Sequence, residues 1–235
     1  MDTIGKRWQA IKARIEAAAL DAGREANSVS LLAVSKAHPA NAIRELFMEG
    51  QRQFGENYLQ EALAKQQELN DLAITWHFIG PIQSNKTQPI AQHFDWVHSI
   101  DRSKIADRLN AARDPSLPAL QACIQLNISD EDSKSGTSAA EALALAEHIR
   151  QLPRLRLRGL MAIPAPTDDP AKQRAQFHAV REIYQQLQSA GHALDTLSMG
   201  MSEDFPAAIQ EGATIVRVGS AIFGARIKPT TEQST

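Results

Sequence analysis

Cysteine is nearly absent from this sequence. One residue, Cys123, is all that its 235 positions hold. No disulfide can form within the chain, and a reducing compartment, the cytoplasm, is expected. A dominant charge is missing too. Lys and Arg number 25 against 27 Asp and Glu, a formal net charge of -2. That balance gives no strong electrostatic pull toward nucleic acid or an anionic membrane, and neither partner is expected. No apolar run approaches a membrane span, and no charged segment followed by an apolar stretch opens the chain. Neither a Walker A pattern nor Gly-x-Gly-x-x-Gly occurs. The seven histidines are scattered, and the pair His93 and His98 bridges a helix end and a strand, so metal-ligand spacing is absent.

What is present is an ordinary globular balance, 43% hydrophobic and 22% charged. The length suits a core that is stable without cross-links. Ile4, Trp8, Ile11 and Ile15 recur at helical steps and line one face of an N-terminal helix. From Ser30 short apolar runs alternate with longer amphipathic ones. Leu31 to Val34, Arg52 to Phe54, Ile74 to Ile79 and Trp96 to Ile100 read as four strands. Leu120 to Ile128 alternates apolar and polar residues and reads as a fifth. Arg158 to Ile163, Leu194 to Met199 and Thr214 to Val218 complete the set. Helices fill most intervals, one opened by the capping box from Ser138 to Glu141. Strands with long helical returns imply a parallel sheet. Eight units over roughly 200 residues predict an α/β fold, a TIM (β/α)8 barrel, in one domain with an extra N-terminal helix. An open doubly wound sheet is the rival. The barrel is expected over residues 1–226, with 227–235 a polar tail.

In such a barrel chemistry sits at the carboxyl ends of the strands. Lys36 follows strand one directly. Its amine is expected in a partly desolvated mouth, where a neutral lysine attacks an aldehyde to form a Schiff base; a lysine that merely snorkels to solvent is the alternative. Ser202 falls where a helix should begin, as an N-cap or an anion contact. Gly219 and Ser220 end strand eight and lead into a short helix, as a tight turn or as part of a phosphate cradle after strands seven and eight. Arg217 alternates onto the side of that turn and needs a strong acceptor, either a pyridine nitrogen or a carboxylate such as Glu56 or Asp204. His77 is expected as a packed core histidine and Cys123 as a buried small hydrophobe. A lysine facing a phosphate cradle suits an aldehyde-bearing phosphorylated cofactor.

These residues lie in recognisable stretches: Leu-Leu-Ala-Val-Ser-Lys36, Phe-Gly-Glu-Asn57, Trp-His77-Phe-Ile-Gly-Pro-Ile-Gln-Ser-Asn-Lys86 and Asp-Ser-Lys-Ser-Gly136. Arg-Gly-Leu-Met-Ala-Ile-Pro164, Leu-Ser-Met-Gly-Met-Ser202 and Val-Arg217-Val-Gly-Ser-Ala-Ile-Phe-Gly224 continue the series. Across nearly its whole length the sequence resembles the pyridoxal phosphate homeostasis protein family, relatives of the barrel domain of alanine racemase. The resemblance implies pyridoxal 5′-phosphate (PLP) as cofactor, held as a Schiff base on Lys36. It implies that Ser202, Gly219 and Ser220 hold the phosphate, that Arg217 faces the pyridine nitrogen, and that Asn57 lies near the ring. It further implies a monomer, with PLP-dependent apo-enzymes as possible recipients. One departure is local: Lys36 is followed by Ala37 and His38, where many relatives carry a further lysine.

A carrier needs only to bind and release the cofactor, whereas a racemase-like enzyme needs acid and base groups around an electron sink. A permanently protonated Arg217 makes the ring a poorer sink. The chain also ends soon after strand eight, without the additional β-domain that supplies a racemase with its tyrosine base. Its own tyrosines are Tyr58 and Tyr184, of which Tyr58 could reach the mouth. A carrier without substantial turnover is therefore expected, with a racemase-like enzyme as the alternative. A Schiff-base barrel acting on phosphorylated sugars would use the same lysine and cradle.

Overall fold

The computed structural model describes residues 3–128 and 135–224. Eight strands alternate with helices: β1 (Ser30–Val34), β2 (Gln53–Glu56), β3 (Thr75–Phe78), β4 (Trp96–Ile100), β5 (Leu120–Leu126), β6 (Leu155–Ala162), β7 (Thr196–Ser198) and β8 (Ile215–Val218). Every neighbouring pair is parallel, and β8 returns to β1 to close the barrel. The closure excludes the open doubly wound sheet. The expected tail, 227–235, lies outside the described residues, as does the part of the Asp-Ser-Lys-Ser-Gly136 stretch before Ser135.

Strand period and register sort each side chain to one of two layers. Ala33, Phe54, Phe78, Val97, Ile124, Leu160, Leu197 and Val216 join one apolar cluster with the surrounding helices. The alternate positions face the barrel axis. Across the closing β1–β8 pair Leu32 sits beside Arg217, and between β1 and β2 Val34 pairs with Gly55. The same parity carries Lys36, Asn57, Arg217 and Gly219 inward, near the carboxyl ends of the strands.

The outer ring comprises α2 (Ala40–Met48), α3 (Leu59–Glu68), α4 (Thr87–His93), α5 (Ser103–Ala112), α6 (Ala139–Arg150) and α7 (Pro170–Ser189), with the short α8 (Phe205–Gln210) and α9 (Ser220–Phe223). The N-terminal helix α1 (Ile4–Asp21) is additional to the alternation. It packs against α2, α8 and α9, and so fills the place that a long helix after β8 would take. Polar ties reinforce this apolar packing. Arg7 Nε donates to Ile222 O at 2.7 Å, and Arg24 donates to Ile209 O at 3.0 Å and Ala213 O at 2.8 Å. Trp8 is buried and donates its indole N–H to Gln51 Oε1 at 3.0 Å. Gln51 in turn holds Leu31 O and Gln53 O.

Only β4 keeps both expected boundaries; β1, β3 and β8 shift by one residue at one or both ends, and β7 shortens to Thr196–Ser198. β2 runs two residues further, through Gly55 and Glu56, and β6 starts earlier, at Leu155. The fifth strand stops at Leu126, short of Ile128.

If α1 is a ring helix and not an appendage, Trp8→Ala removes a buried aromatic and costs about 3–5 kcal/mol. Leu20→Ala, at a position 61% exposed, leaves stability within roughly 0.5 kcal/mol. Urea denaturation of both variants measures the difference.

Candidate functional site

A cavity of ≈ 390 Å³ opens at the carboxyl ends of the strands, and Lys36, Asn57, Ser202, Arg217, Gly219 and Ser220 all line it. Its volume is that of a small-molecule site. His38, Ile79 and Asp204 contribute to the same wall. Every residue singled out from the sequence as a binding group therefore reaches one place, although 183 positions separate Lys36 from Gly219 in the chain (219 − 36).

Lys36 follows β1 in a half-buried turn. Asn57 follows β2, and its side-chain Oδ1 is buried with no hydrogen-bond partner. A buried acceptor without a partner is costly unless a ligand or water satisfies it. Gly80 stands behind it: a Cβ there would lie 2.3 Å from Asn57 O. Gly219 needs its missing side chain for proximity, not for a left-handed turn. Its φ is -116°, and a Cβ would stand 3.1 Å from Val34 O. The close approach draws the β8 terminus against the end of β1. The carbonyl of Gly219 accepts from the N–H groups of Ile222 and Phe223 at 2.9 and 3.0 Å, and the first amides of α9 have no partner within the helix.

Ser202 departs from its expected place. The N-cap of α8 is Asp204, and Ser202 lies in the preceding turn. Asp204 Oδ1 accepts from Met201 N at 2.6 Å, so the carboxylate folds the turn back on itself. Pro206 in the first turn of α8 marks this boundary in the sequence. Gly200 makes the turn possible, with φ +93° and a would-be Cβ 2.7 Å from Ala208 Cβ. Ser202 keeps its place on the cavity wall without capping the helix.

Arg217 takes neither carboxylate. Its guanidinium donates to Ser198 O at 2.6 Å, Ser198 Oγ at 2.8 Å and Ala162 O at 3.0 Å. These bonds use three of five N–H donors. Burial lowers its pKa to about 10, so it stays protonated at neutral pH. Asp204 attracts it without a hydrogen bond and itself titrates above the usual carboxylate range, because it is buried.

Below Arg217 a polar chain crosses the barrel axis that the sequence reading did not assemble. His98 Nδ1 lies 2.8 Å from Ser198 Oγ, and His98 Nε2 lies 2.9 Å from His77 Nδ1. His77 is packed in the core as expected, stacked on Trp96 at 5.3 Å. Since Ser198 Oγ accepts from Arg217, its proton is best placed toward His98 Nδ1. Both imidazoles then carry their proton on Nε2, and the one donor left over is His77 Nε2–H, which has no partner. The reverse assignment would strand the serine proton as well. His98 and Ser198 were legible only as inward positions of their strands.

The second missed group lies under Lys36. Lys65, buried on α3, donates to Ser35 O at 2.8 Å, Glu56 Oε1 at 2.7 Å and Glu61 Oε1 at 2.5 Å. Glu56 also accepts from Ser35 Oγ at 2.6 Å. Burial pushes the Glu56 carboxyl above its ordinary pKa, and Lys65 and Ser35 oppose the shift. The Glu61–Lys65 spacing of four was the available signal. Cys123 is fully buried, its thiol pushed up to about 12 by burial, and behaves as the small hydrophobe expected. Tyr58 is 55% exposed, and Tyr184 packs against the outer cluster.

The alanine racemase N-terminal domain model matches residues 7–227. The chain belongs to that family. It is 59% identical over 226 residues to the pyridoxal phosphate homeostasis protein of Pseudomonas aeruginosa, covering 96% of this chain and 97% of that one. The corresponding protein of Escherichia coli K12 is 50% identical over 232 residues, covering 96% and 98%. Among solved structures, PipY of Synechococcus elongatus PCC7942 with PLP bound superposes with a TM-score of 0.84 at 39% identity, covering 94% of this chain and all of that one.

Burial holds the pKa of His77 down at about 3 and that of His98 well below the ordinary 6.5, the latter helped by His77 and Arg217. Between those limits the unfolded chain binds protons at both rings that the folded chain refuses, so stability falls as pH drops from 6.5 toward 3. His77→Phe removes one of the two groups. Its urea midpoint is expected to decline less steeply over that range than the wild type's.

Proposed function

We propose that the chain binds pyridoxal 5′-phosphate in this cavity and serves its intracellular homeostasis, storing or delivering it without substantial turnover of its own. The observation that carries the reading is the convergence of Lys36, Asn57, Ser202, Arg217, Gly219 and Ser220 on one wall. Lys36 supplies the amine that holds the aldehyde as a Schiff base. Ser202, Gly219 and Ser220 hold the phosphate, where backbone amides at a helix start favour an anion. Arg217, held from behind by Ser198 and Ala162, donates to the pyridine nitrogen. Asn57 lies beside the ring, where its unpaired oxygen meets a polar group. The homeostasis proteins at 59% and 50% identity and the PLP-bound PipY support this assignment.

Two features favour a carrier over a racemase-like enzyme. Bound PLP withdraws electrons best when its ring nitrogen is protonated, and a cationic Arg217 donates there without giving up its proton. Tyr58, the one tyrosine adjacent to a site residue, is mostly solvent-facing, and Tyr184 belongs to the helix layer. The protein is read as a cytoplasmic monomer that hands PLP to apo-enzymes. Among the described residues no helix is long and apolar enough to cross a membrane.

Visible absorption spectra of wild type and Lys36→Ala, recorded before and after adding PLP, test the reading. A yellow band in wild type that Lys36→Ala lacks is expected, together with amino-acid racemisation far below the ordinary enzyme range of about 1–1,000 per second. A wild type that stays colourless with PLP present points instead to a barrel acting on phosphorylated sugars. Turnover at enzyme-like rates makes the chain a racemase.

A further inference from the structure

The turn that carries Lys36 is held on both sides by charged groups that do not line the cavity. Before Lys36, Ser35 is fixed twice: its carbonyl accepts from Lys65 Nζ at 2.8 Å, and its hydroxyl donates to Glu56 Oε1 at 2.6 Å. After it, Ala37 N–H donates to Glu61 Oε1 at 2.6 Å. Lys65 joins the two carboxylates, at 2.7 Å to Glu56 and 2.5 Å to Glu61. All three ammonium protons of Lys65 are therefore used, and each bond ends on the Lys36 turn or on a carboxylate that grips it.

The backbone inside this grip is strained. Ala37 has φ +60°, the one non-glycine residue with positive φ among the described residues. A left-handed alanine costs about 1–2 kcal/mol, and such conformations persist where the surroundings over-determine them. Here the surroundings are the anchored Ser35 before the lysine and Glu61 on the Ala37 amide after it. Burying a lysine and a glutamate together is a poor way to gain stability alone, since a well-packed apolar pair of similar volume often does as well or better. The cluster's bonds are explained by what they hold.

We propose that Lys65, Glu56 and Glu61 form a positioning clamp that pre-organises the Lys36 backbone, and with it the reach of the lysine amine, for cofactor capture. The proposal rests on the reading that Lys36 is the cofactor's anchor. Glu61 is the member to test first, because its side chain is 31% exposed and its removal leaves the Lys65–Glu56 pair in place. Holding a reactive amine in its bound geometry raises affinity by removing an ordering cost.

The experiment compares wild type, Glu61→Ala, Glu61→Gln and Ala37→Gly as full chains. Hydrogen exchange at the Ala37 amide without cofactor is the first readout. Exchange accelerates in Glu61→Ala and stays slow in Glu61→Gln, whose Oε1 can still accept the bond. The second readout is the PLP dissociation constant from the visible band, with thermal stability measured alongside. Glu61→Ala is expected to bind roughly ten-fold more weakly, the change that loss of one charge-assisted hydrogen bond produces. Glu61→Gln recovers most of that affinity. Ala37→Gly, which relieves the strain but loosens the turn, is as stable as wild type or more so, and still binds more weakly. Wild-type affinity in both Glu61→Ala and Ala37→Gly overturns the clamp, as does weakening that tracks thermal stability across the four proteins. A wild type with no visible band at all is a different failure, that of the cofactor reading, and the exchange rates at Ala37 still decide whether the turn is held by Glu61.

Discussion

The pairing of β1 with β8 is the constraint on which everything at the site depends. Ser30 to Ala33 lie in register with Ile215 to Val218, and this one seam joins the first strand to the last. Without it Lys36 would have no fixed relation to Gly219, Ser220 or Arg217. The seam is tight at its upper end because residue 219 has no side chain, which lets its backbone approach Val34. A contact of such sequence separation forms late and at high entropic cost. α1 shares in stabilising it: its buried face and its Arg7 and Arg24 bonds join the start of the chain to α8 and α9, the two short helices that flank β8.

Closing a parallel barrel also fixes what its interior must contain. Most barrels of this kind fill the axis with branched apolar residues. Here the upper axis holds an arginine, a serine and two histidines in one connected chain. Their burial forces the imidazoles to be neutral, and neutral imidazoles can pass hydrogen-bond direction from Ser198 to His77 without adding charge. The positive charge at the top of the chain is therefore Arg217 alone, aimed into the cavity by the carbonyls of Ser198 and Ala162. At the end of the neighbouring strand Lys36 stands over a second ion cluster. The two cationic groups are thus held by different means: Arg217 by strand carbonyls and a hydroxyl, the Lys36 turn by paired carboxylates and a lysine.

Much of this was legible before any coordinates. Alternating apolar runs and amphipathic stretches predict eight units and hence the barrel, and β4 spans the residues its apolar run marks out. Strand two was harder because Gly55 and Glu56 look unlike strand residues. Gly55 is there because Leu32 and Ile79 crowd the axis beside it, with a would-be Cβ 3.2 Å from each, and Glu56 is buried only because Lys65 reaches it from α3. β6 begins early because Leu155 and Leu157 pair with Leu120 and Ala122 of β5, with the exposed Arg156 between them masking the alternation. The site residues could be named singly from strand ends and motifs. Their relation to Glu61, Lys65, His98 and Ser198 could not, since those partners come from other elements at a register that only the closed sheet defines. Of the two roles the sequence leaves open for Ser202, the N-cap falls to Asp204, with Pro206 in the first turn, and Ser202 keeps its place on the cavity wall.

The arrangement also bears on the proposal that the barrel binds its cofactor without substantial turnover. Reaction at a carbon beside the cofactor needs groups that take and give protons on chosen faces, at pKa values near the working pH. The imidazoles nearest Arg217 are held far below that range by burial, and Cys123 is held far above it. Arg217 keeps its proton. Were Lys36 the anchor, as proposed, it would be left as a single base once a substrate displaced it, in a site whose tyrosine neighbour faces solvent, and would serve one face only. These settings accord with the proposed capture and release of a cofactor.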